Sequence, residues 1–342
     1  MSDAPTWTEP GAYEVADGIH RIPLPLPMDG LRAVNVYTIE TEEGLTLVDG
    51  GWAVEDARRR LDEALASMGR TVRDITRFLV THVHRDHYTQ ALSVRREVGA
   101  HVSLGIGDKA TLDLAADPGL DHDPTVTQLE KSGAARLAKE WSSLFESADR
   151  PDPSAWEPPD TWLDGDHRIG VGTRTLDAVS TPGHTRGHFV FADQEAGLLF
   201  AGDHVLPSIT PSIGFELAYA EQPLGDFISS LAKVRAMPDL RLLPAHGPVT
   251  RSTHTRVDEL VAHHDERLRL CLASVGAGRR TAFEVAGDLP WTRRGKSLDE
   301  LDVFNAALAS METMAHLQLL AARGEVTRTE HGGVLEYAPL AG

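Results

Sequence analysis

Cysteine is nearly absent. Cys271 is the single one in 342 residues, so no intramolecular disulfide framework can form, and this usage fits a reducing compartment. It lies in an apolar helical pattern, LRLCLASV, which reads as a packed core thiol rather than a nucleophile. Long apolar runs are also missing: no segment approaches the roughly 18 to 20 uninterrupted apolar residues of a membrane span. The opening stretch, MSDAPTWTEPGAY, has neither a basic start nor an apolar h-region, so a cytoplasmic protein with no membrane partner is expected. Basic residues are scarce, 33 Lys plus Arg against 51 Asp plus Glu, for a formal net charge of −18. That balance disfavours nucleic acid, whose binding rests on clustered cations. It leaves room for a small anionic substrate held by local arginines.

Histidine, by contrast, is concentrated. Residues 81–88 read THVHRDHY and place His82, His84, Asp86 and His87 just after an apolar run. Neutral imidazole and carboxylate are the usual protein ligands for zinc and related ions when they converge. If the segment continues extended past FLV, His82 and His84 point to one side. A bend beyond them would swing Asp86 and His87 towards a second position. Further on, TPGHTRGH carries His184 and His188, FAGDHVL carries Asp203 and His204, and LLPAHG carries His246. Asp49 (in LVDGG), His82, Asp203 and His246 each follow an apolar run, where ligands from separate strands would meet.

The pattern around these residues is that of a layered α/β protein with its site at strand ends. RAVNVYTIETEEGLTLVDGG reads as two strands joined by TEEG, residues 54–68 as a helix, and ITRFLVTHV as a buried strand. A helical insertion is expected at about 106–150, with Leu129, Leu137, Trp141, Leu144 and Phe145 as a core-facing stripe. RPDPSAWEPPD then marks a surface connection. From about Thr253 the chain turns helical, and GEVTRTEHGGVLEYAPL closes it as a hairpin with a Gly-Gly turn. Residues 1–252 therefore read as a catalytic domain and 253–342 as a small winged-helix-like module. Ten basic against thirteen acidic residues leave that module at −3, which disfavours DNA binding.

Together, LVDGG, THVHRDH, TPGHTRGH, FAGDHVL and LLPAHG resemble the metallo-β-lactamase superfamily over about residues 15–252. GDHVLPSITPSIG, LLPAHGPV and the stretch from HHDERL to VLEYAP resemble its lactamase-like subgroup with a C-terminal winged helix. The resemblance implies an αββα sandwich with two divalent ions, Zn2+ by default and Mn2+ or Fe2+ as alternatives. It implies that His82, His84 and His184 hold one ion, that Asp86, His87 and His246 hold the other, and that Asp203 bridges them. Asp49 and His188 would support the ligands rather than bind metal, and His204 would help orient its loop. A homodimer is a family-level expectation, with the tail near the site or in a subunit interface. One departure stands out: Tyr88-Thr89-Gln90-Ala91 replaces the small and glycine residues common in the family. Tyr88 is then either a pocket wall or packed.

Two ions about 3.5 to 4 Å apart would give hydroxide at neutral pH for attack on a carbonyl. Asp86 would orient the nucleophile or shuttle its proton. Arg85 and Arg186 would meet an anionic end of the substrate, and Ile213, Phe215 and Tyr219 would form an acyl pocket. The expected activity is hydrolysis of a thioester or activated ester of acyl-coenzyme A or acyl-glutathione type. Lactone or ester hydrolysis, RNA cleavage, mononuclear iron persulfide oxidation and a non-enzymatic scaffold are the alternatives. His20, His101, His122, His263, His264 and His331 show no ligand pattern and default to surface or capping roles.

Overall fold

The strands sort into two sheets whose facing sides are almost wholly apolar. The computed structural model describes residues 6–27, 30–120, 123–146, 153–292 and 295–340. His122 and residues 147–150 of the expected insertion lie outside the described residues. The first sheet has seven strands in chain order: β1 (Tyr13–Ala16), β2 (Ile19–Pro25), β3 (Ala33–Thr41), β4 (Gly44–Val48), β5 (Ile75–Leu79), β6 (His101–Gly105) and β7 (Thr161–Leu163). β1 to β4 pair antiparallel and β4 to β7 parallel, the parallel pairs being separated by helical crossovers. Two of these are α1 (Glu55–Ser67) and α2 (Arg85–Val98). The TEEG turn joins β3 to β4 with Thr41 opposite Gly44, as its pattern predicts.

The second sheet comprises β8 (His167–Val171), β9 (Arg174–Ser180), β10 (Phe189–Asp193), β11 (Leu198–Gly202) and β12 (Arg241–Pro244), in the order β12-β11-β10-β9-β8. Between the sheets, Ile19, Tyr37, Ile39 and Leu79 meet Leu176, Phe191, Phe200 and Leu243 in one buried cluster. Tyr37 and Phe200 touch edge to face at 5.5 Å between ring centres. The outer face of the first sheet packs on α1 and α2 through Leu61, Leu65 and Leu92. The outer face of the second packs on α6 (Pro223–Arg235), α7 (Thr253–Gly276) and α9 (Val303–Ala322). The result is a four-layer α/β/β/α sandwich.

The insertion forms α3 (Lys109–Ala115), α4 (Pro124–Lys131) and α5 (Ala135–Glu146). Leu129, Leu137 and Trp141 are buried against Ala307 and Met311 of α9, so most of the predicted stripe is core, while Leu144 is half exposed. The tail adds α8 (Ala282–Asp288), opened by a Thr281–Glu284 capping box, and the hairpin β13 (Val326–His331) with β14 (Val334–Pro339). Gly332 and Gly333 both take positive φ at its tip, as a two-residue turn of this hand requires. Val257, Leu260, Cys271 and Leu317 of the tail share one continuous core with Leu199, Phe227 and Leu231. Among the described residues no helix is long and apolar enough to cross a membrane.

Candidate metal centre

β5 ends at Leu79, and the motif that follows does not continue extended. His84 instead caps α2, which puts Asp86 and His87 in the helix's first turn. The strand itself thus stops short of the pair, and the bend expected beyond His84 is the start of α2. The apolar phasing of α2, with Tyr88, Ala91 and Leu92 buried, pulls the helix start into the motif. The acidic side chain at the start of a helix is also favoured by the exposed N–H groups there. Asp49 after β4, His184 after β9, Asp203 after β11 and His246 after β12 approach from the other strand ends.

Two groups result. In one, His82 Nε2 and His184 Nε2 lie 3.0 and 3.1 Å from His84 Nδ1. In the other, Asp86, His87 and His246 each bring a ligand atom within 4.8 Å of the others. Asp203 stands between them: Oδ2 is 3.5 Å from His184 Nε2, and Oδ1 is 3.4 Å from His246 Nε2 and 3.7 Å from His87 Nε2. All seven candidates from the sequence therefore converge.

The donor chemistry tests whether a cation fits. His87 Nδ1 donates to Asp49 Oδ2 (2.9 Å), His184 Nδ1 to Ser212 O (2.8 Å) and His246 Nδ1 to Ala33 O (2.8 Å). In its neutral form each ring then presents an Nε2 lone pair inwards. Facing these lone pairs are the carboxylates of Asp86 and Asp203, which are acceptors as well. His87 Nε2, Asp203 Oδ1 and His246 Nε2 are buried with no hydrogen-bond partner. Acceptors converging in a buried place repel one another unless something positive joins them. Residues of this kind fit divalent cations.

Electrostatics agree. Burial, then the neighbouring imidazoles, hold His82 well below its ordinary pKa and push His84 down to about 3, so this triad is neutral. Burial also lowers His87, but Asp49, Asp86 and Asp203 overcome it and raise that ring to about 9. His246 is raised well above its ordinary value in the same way, Asp203 and Asp86 outweighing burial. The carboxylates of the second group therefore demand positive charge, supplied by protons on His87 and His246 or by a cation that replaces them.

The supports are equally specific. Asp49, at a positive φ of 63°, accepts from Thr81 N (2.8 Å) as well as from His87. His188 Nδ1 faces Thr181 Oγ1 (2.9 Å) and its Nε2 accepts from Asp203 N (3.1 Å), fixing the bridging residue. His204 is buried with its ring 5.1 Å from Phe227, so it holds the loop by packing. Two supports escaped the sequence reading. Asn35 donates to Pro244 O and Gly247 O and holds the turn that carries His246. Asp108, fully buried, accepts from Val83 N (2.8 Å) and Gly187 N (2.7 Å), tying the His82/His84 loop to the His184/His188 loop. The turn that carries Asp108 crosses the His184/His188 loop backbone to backbone: a Cβ on Gly105 would sit 1.9 Å from Gly187 O. The GIGD stretch at 105–108 was the available signal.

The expected substrate-pocket residues fare differently. Arg85 and Arg186 are exposed beside the cluster, and Arg85 stacks over Trp52 at 4.1 Å. Tyr88 is not a pocket wall: it is fully buried and donates to Glu157 O at 2.7 Å. Ile213 is buried in the core around Phe227, and Phe215 packs edge-on to Trp141 and Phe304. Tyr219 donates to Gln318 Oε1 and lines a cavity of about 480 Å3 with Gln128, Lys131 and Arg328, whose walls include none of the seven candidates. The packing of α5 and α9 against residues 206–219 takes these side chains away from the centre. Of the other histidines, His101 bonds Thr161 Oγ1, while His20 and His331 lie 3.8 Å from Glu40 and Glu336.

Residues 29–246 match the family profile described as the metallo-beta-lactamase superfamily. A probable metallo-hydrolase of Bacillus subtilis, YqjP, is 24% identical over 329 residues, covering 93% of this chain and 96% of that protein. A beta-lactamase-like protein 2 homolog of Caenorhabditis elegans is 30% identical over 145 residues, which span 41% of this chain and 46% of that protein. Among solved structures, a beta-lactamase domain protein from Burkholderia ambifaria superposes with a TM-score of 0.80 at 27% identity, over 99% of this chain and 96% of that one.

Proposed function

The chain belongs to the metallo-β-lactamase superfamily, and on that premise we propose that it is a dinuclear metal-dependent hydrolase of thioesters or activated esters, of acyl-coenzyme A or acyl-glutathione type. The observation that carries this is the pair of converging histidine and carboxylate groups joined by Asp203. His82, His84 and His184 would hold one cation, and Asp86, His87 and His246 the other, with Zn2+ first among the candidates and Mn2+ or Fe2+ next. Bound cations supply Lewis acidity to the substrate carbonyl and acidify water. Asp86 accepts the proton lost by the attacking water at its Oδ and returns it to the departing thiolate as the C–S bond breaks, leaving a carboxylate and a thiol. Arg85 and Arg186 attract the anionic end of the substrate, and Asp49, His188 and Asp108 keep the ligands in place.

Two complete groups favour hydrolysis over the mononuclear oxygenase reading, and the acidic balance favours it over RNA cleavage. We read residues 253–342 as the winged-helix module of the lactamase-like subgroup, the chain as a cytoplasmic homodimer and its partner as a small acyl compound. The test is free-thiol release from acyl-coenzyme A and acyl-glutathione by metal-loaded and chelator-stripped protein, with a His82→Ala/Asp86→Ala variant alongside. Metal-dependent release that falls at least about a hundredfold in the variant is expected. Equal turnover by parent and variant would falsify the assignment, and metal-dependent cleavage of oxygen esters or lactones alone would move the substrate class.

A further inference from the structure

A second polar cluster lies between α7 and α9, outside the centre described above. One ligand atom from each of His263, His264 and Glu312 lies within 4.8 Å of the others. His264 is fully buried, His263 is exposed and Glu312 is half-buried. No hydrogen bond or ion pair holds the Glu312 carboxylate among the described residues.

The hydrogen bonds fix what His264 offers. His316 Nδ1 faces the carbonyl of Glu312 at 2.7 Å, so it carries the proton and leaves His316 Nε2 as an acceptor. That nitrogen lies 3.2 Å from His264 Nδ1, which must therefore donate. His264 Nε2 is left with a lone pair, and it is buried with no donor to meet it. A carbonyl and a second imidazole orienting the ring through Nδ1 is the arrangement that steadies a metal-ligating histidine. Burial, then neighbouring rings and Arg267, keep His264 in its neutral form.

We infer that His263, His264 and Glu312 form a further mononuclear transition-metal site, best suited to Zn2+. Two imidazoles and one carboxylate are a zinc donor set. The same set is poor for Mg2+ or Ca2+, which need oxygen ligands and more negative charge. Arg267 stacks over Trp291 at 4.0 Å, donates to Pro290 O and places its charge near Glu312 and His264, so it is the donor atoms and not the local charge that favour zinc. The site is tied to the rest of the molecule by α7 itself. Arg256, seven residues before His263, donates to Leu206 O and Ile209 O, in the loop whose Ser212 carbonyl orients His184.

The experiment counts zinc. The chelator-stripped full chain is equilibrated with micromolar free Zn2+, and metal per chain is measured by mass spectrometry, with Mg2+ as a parallel arm. His263→Ala, at an exposed position, and the near-isosteric Glu312→Gln should each hold one zinc fewer than the parent, with unchanged circular dichroism. The same loss should occur when His263→Ala is added to the His82→Ala/Asp86→Ala protein, whose own deficit reports on the dinuclear centre separately. If zinc content is the same with and without His263→Ala in both backgrounds, or if Mg2+ occupies the site equally well, the inference is wrong. Should Glu312→Gln fail to fold, the His263→Ala comparison decides alone.

Discussion

Replacing Asp108 removes a side chain that ties the backbones of both histidine loops together, and the cost can be worked out from its two bonds. Val83 lies between His82 and His84, and Gly187 adjoins His188. Their N–H groups donate to opposite oxygens of Asp108 at 2.8 and 2.7 Å inside a fully buried pocket. In Asp108→Ala both donors lose their acceptor where water cannot replace it, at about 1–3 kcal/mol each. Burial pushes the Asp108 carboxyl up to about 6, so removing it also relieves a desolvation cost and holds the net loss near about 2–4 kcal/mol. Asp108→Asn keeps one acceptor but turns an NH2 towards the other donor, for a loss of about 1–3 kcal/mol. Both losses are large beside a typical stability of about 5–15 kcal/mol. Urea unfolding of chelator-stripped protein reads them as a lower midpoint at unchanged slope. Zinc competition should show affinity at the main centre weakened about 10- to 100-fold, as expected when a ligand-orienting partner is lost. If Asp108→Ala unfolds within about 0.5 kcal/mol of the parent, the clamp carries no energy and the reasoning fails.

Two further outcomes follow from buried titratable groups. Glu216 is raised from 4.5 to about 8 by burial and by Asp108, against the bond it accepts from Arg186 N. A carboxyl raised on folding contributes stability fully below its unfolded pKa and loses it as pH climbs through the folded value. Glu216→Gln should therefore gain stability relative to the parent between pH 5 and pH 9, the two being compared by thermal melts; a parallel pH dependence would contradict this. Burial raises Cys271 to about 12, so the native thiol should resist iodoacetamide at pH 8 and react readily once unfolded, and fast native alkylation would refute it.

The ligand candidates were legible because His82, Asp203 and His246 each follow an apolar run, because His84, Asp86 and His87 crowd behind His82 in one motif and His184 sits in TPGHTRGH, and because strands in a layered α/β fold end on one side. The local path of the His82–His87 stretch was not, since the start of α2 depends on burying Tyr88, Ala91 and Leu92 against a sheet the segment itself does not contain. Asp108 was invisible for a related reason: its partners lie 25 and 79 residues away. Ile213, Phe215 and Tyr219 were misassigned because nearness in sequence to Asp203 says nothing of α9, which claims Phe215 and Tyr219 from about 100 residues downstream. His263 and His264 showed no ligand pattern and defaulted to surface or capping roles for want of the partner helix that supplies Glu312 and His316.

The crossing at Gly105, Gly107 and Gly187 bears on how this protein can change. A Cβ at any of the three would fall within 2.3 Å of backbone on the opposite loop or turn, so none can accept a side chain without moving its neighbour. New specificity therefore cannot arise by substituting these glycines of the 105–108 turn and the His184/His188 loop without moving backbone. More open positions lie on another rim, at Ser208 and Ile209, which are exposed in the loop that leads to Ser212. A mutagenesis library placed on that rim should keep its metal far more often than one placed on 105–108 or 185–187, and retained zinc across the two libraries is a direct count of where the fold leaves function free to vary.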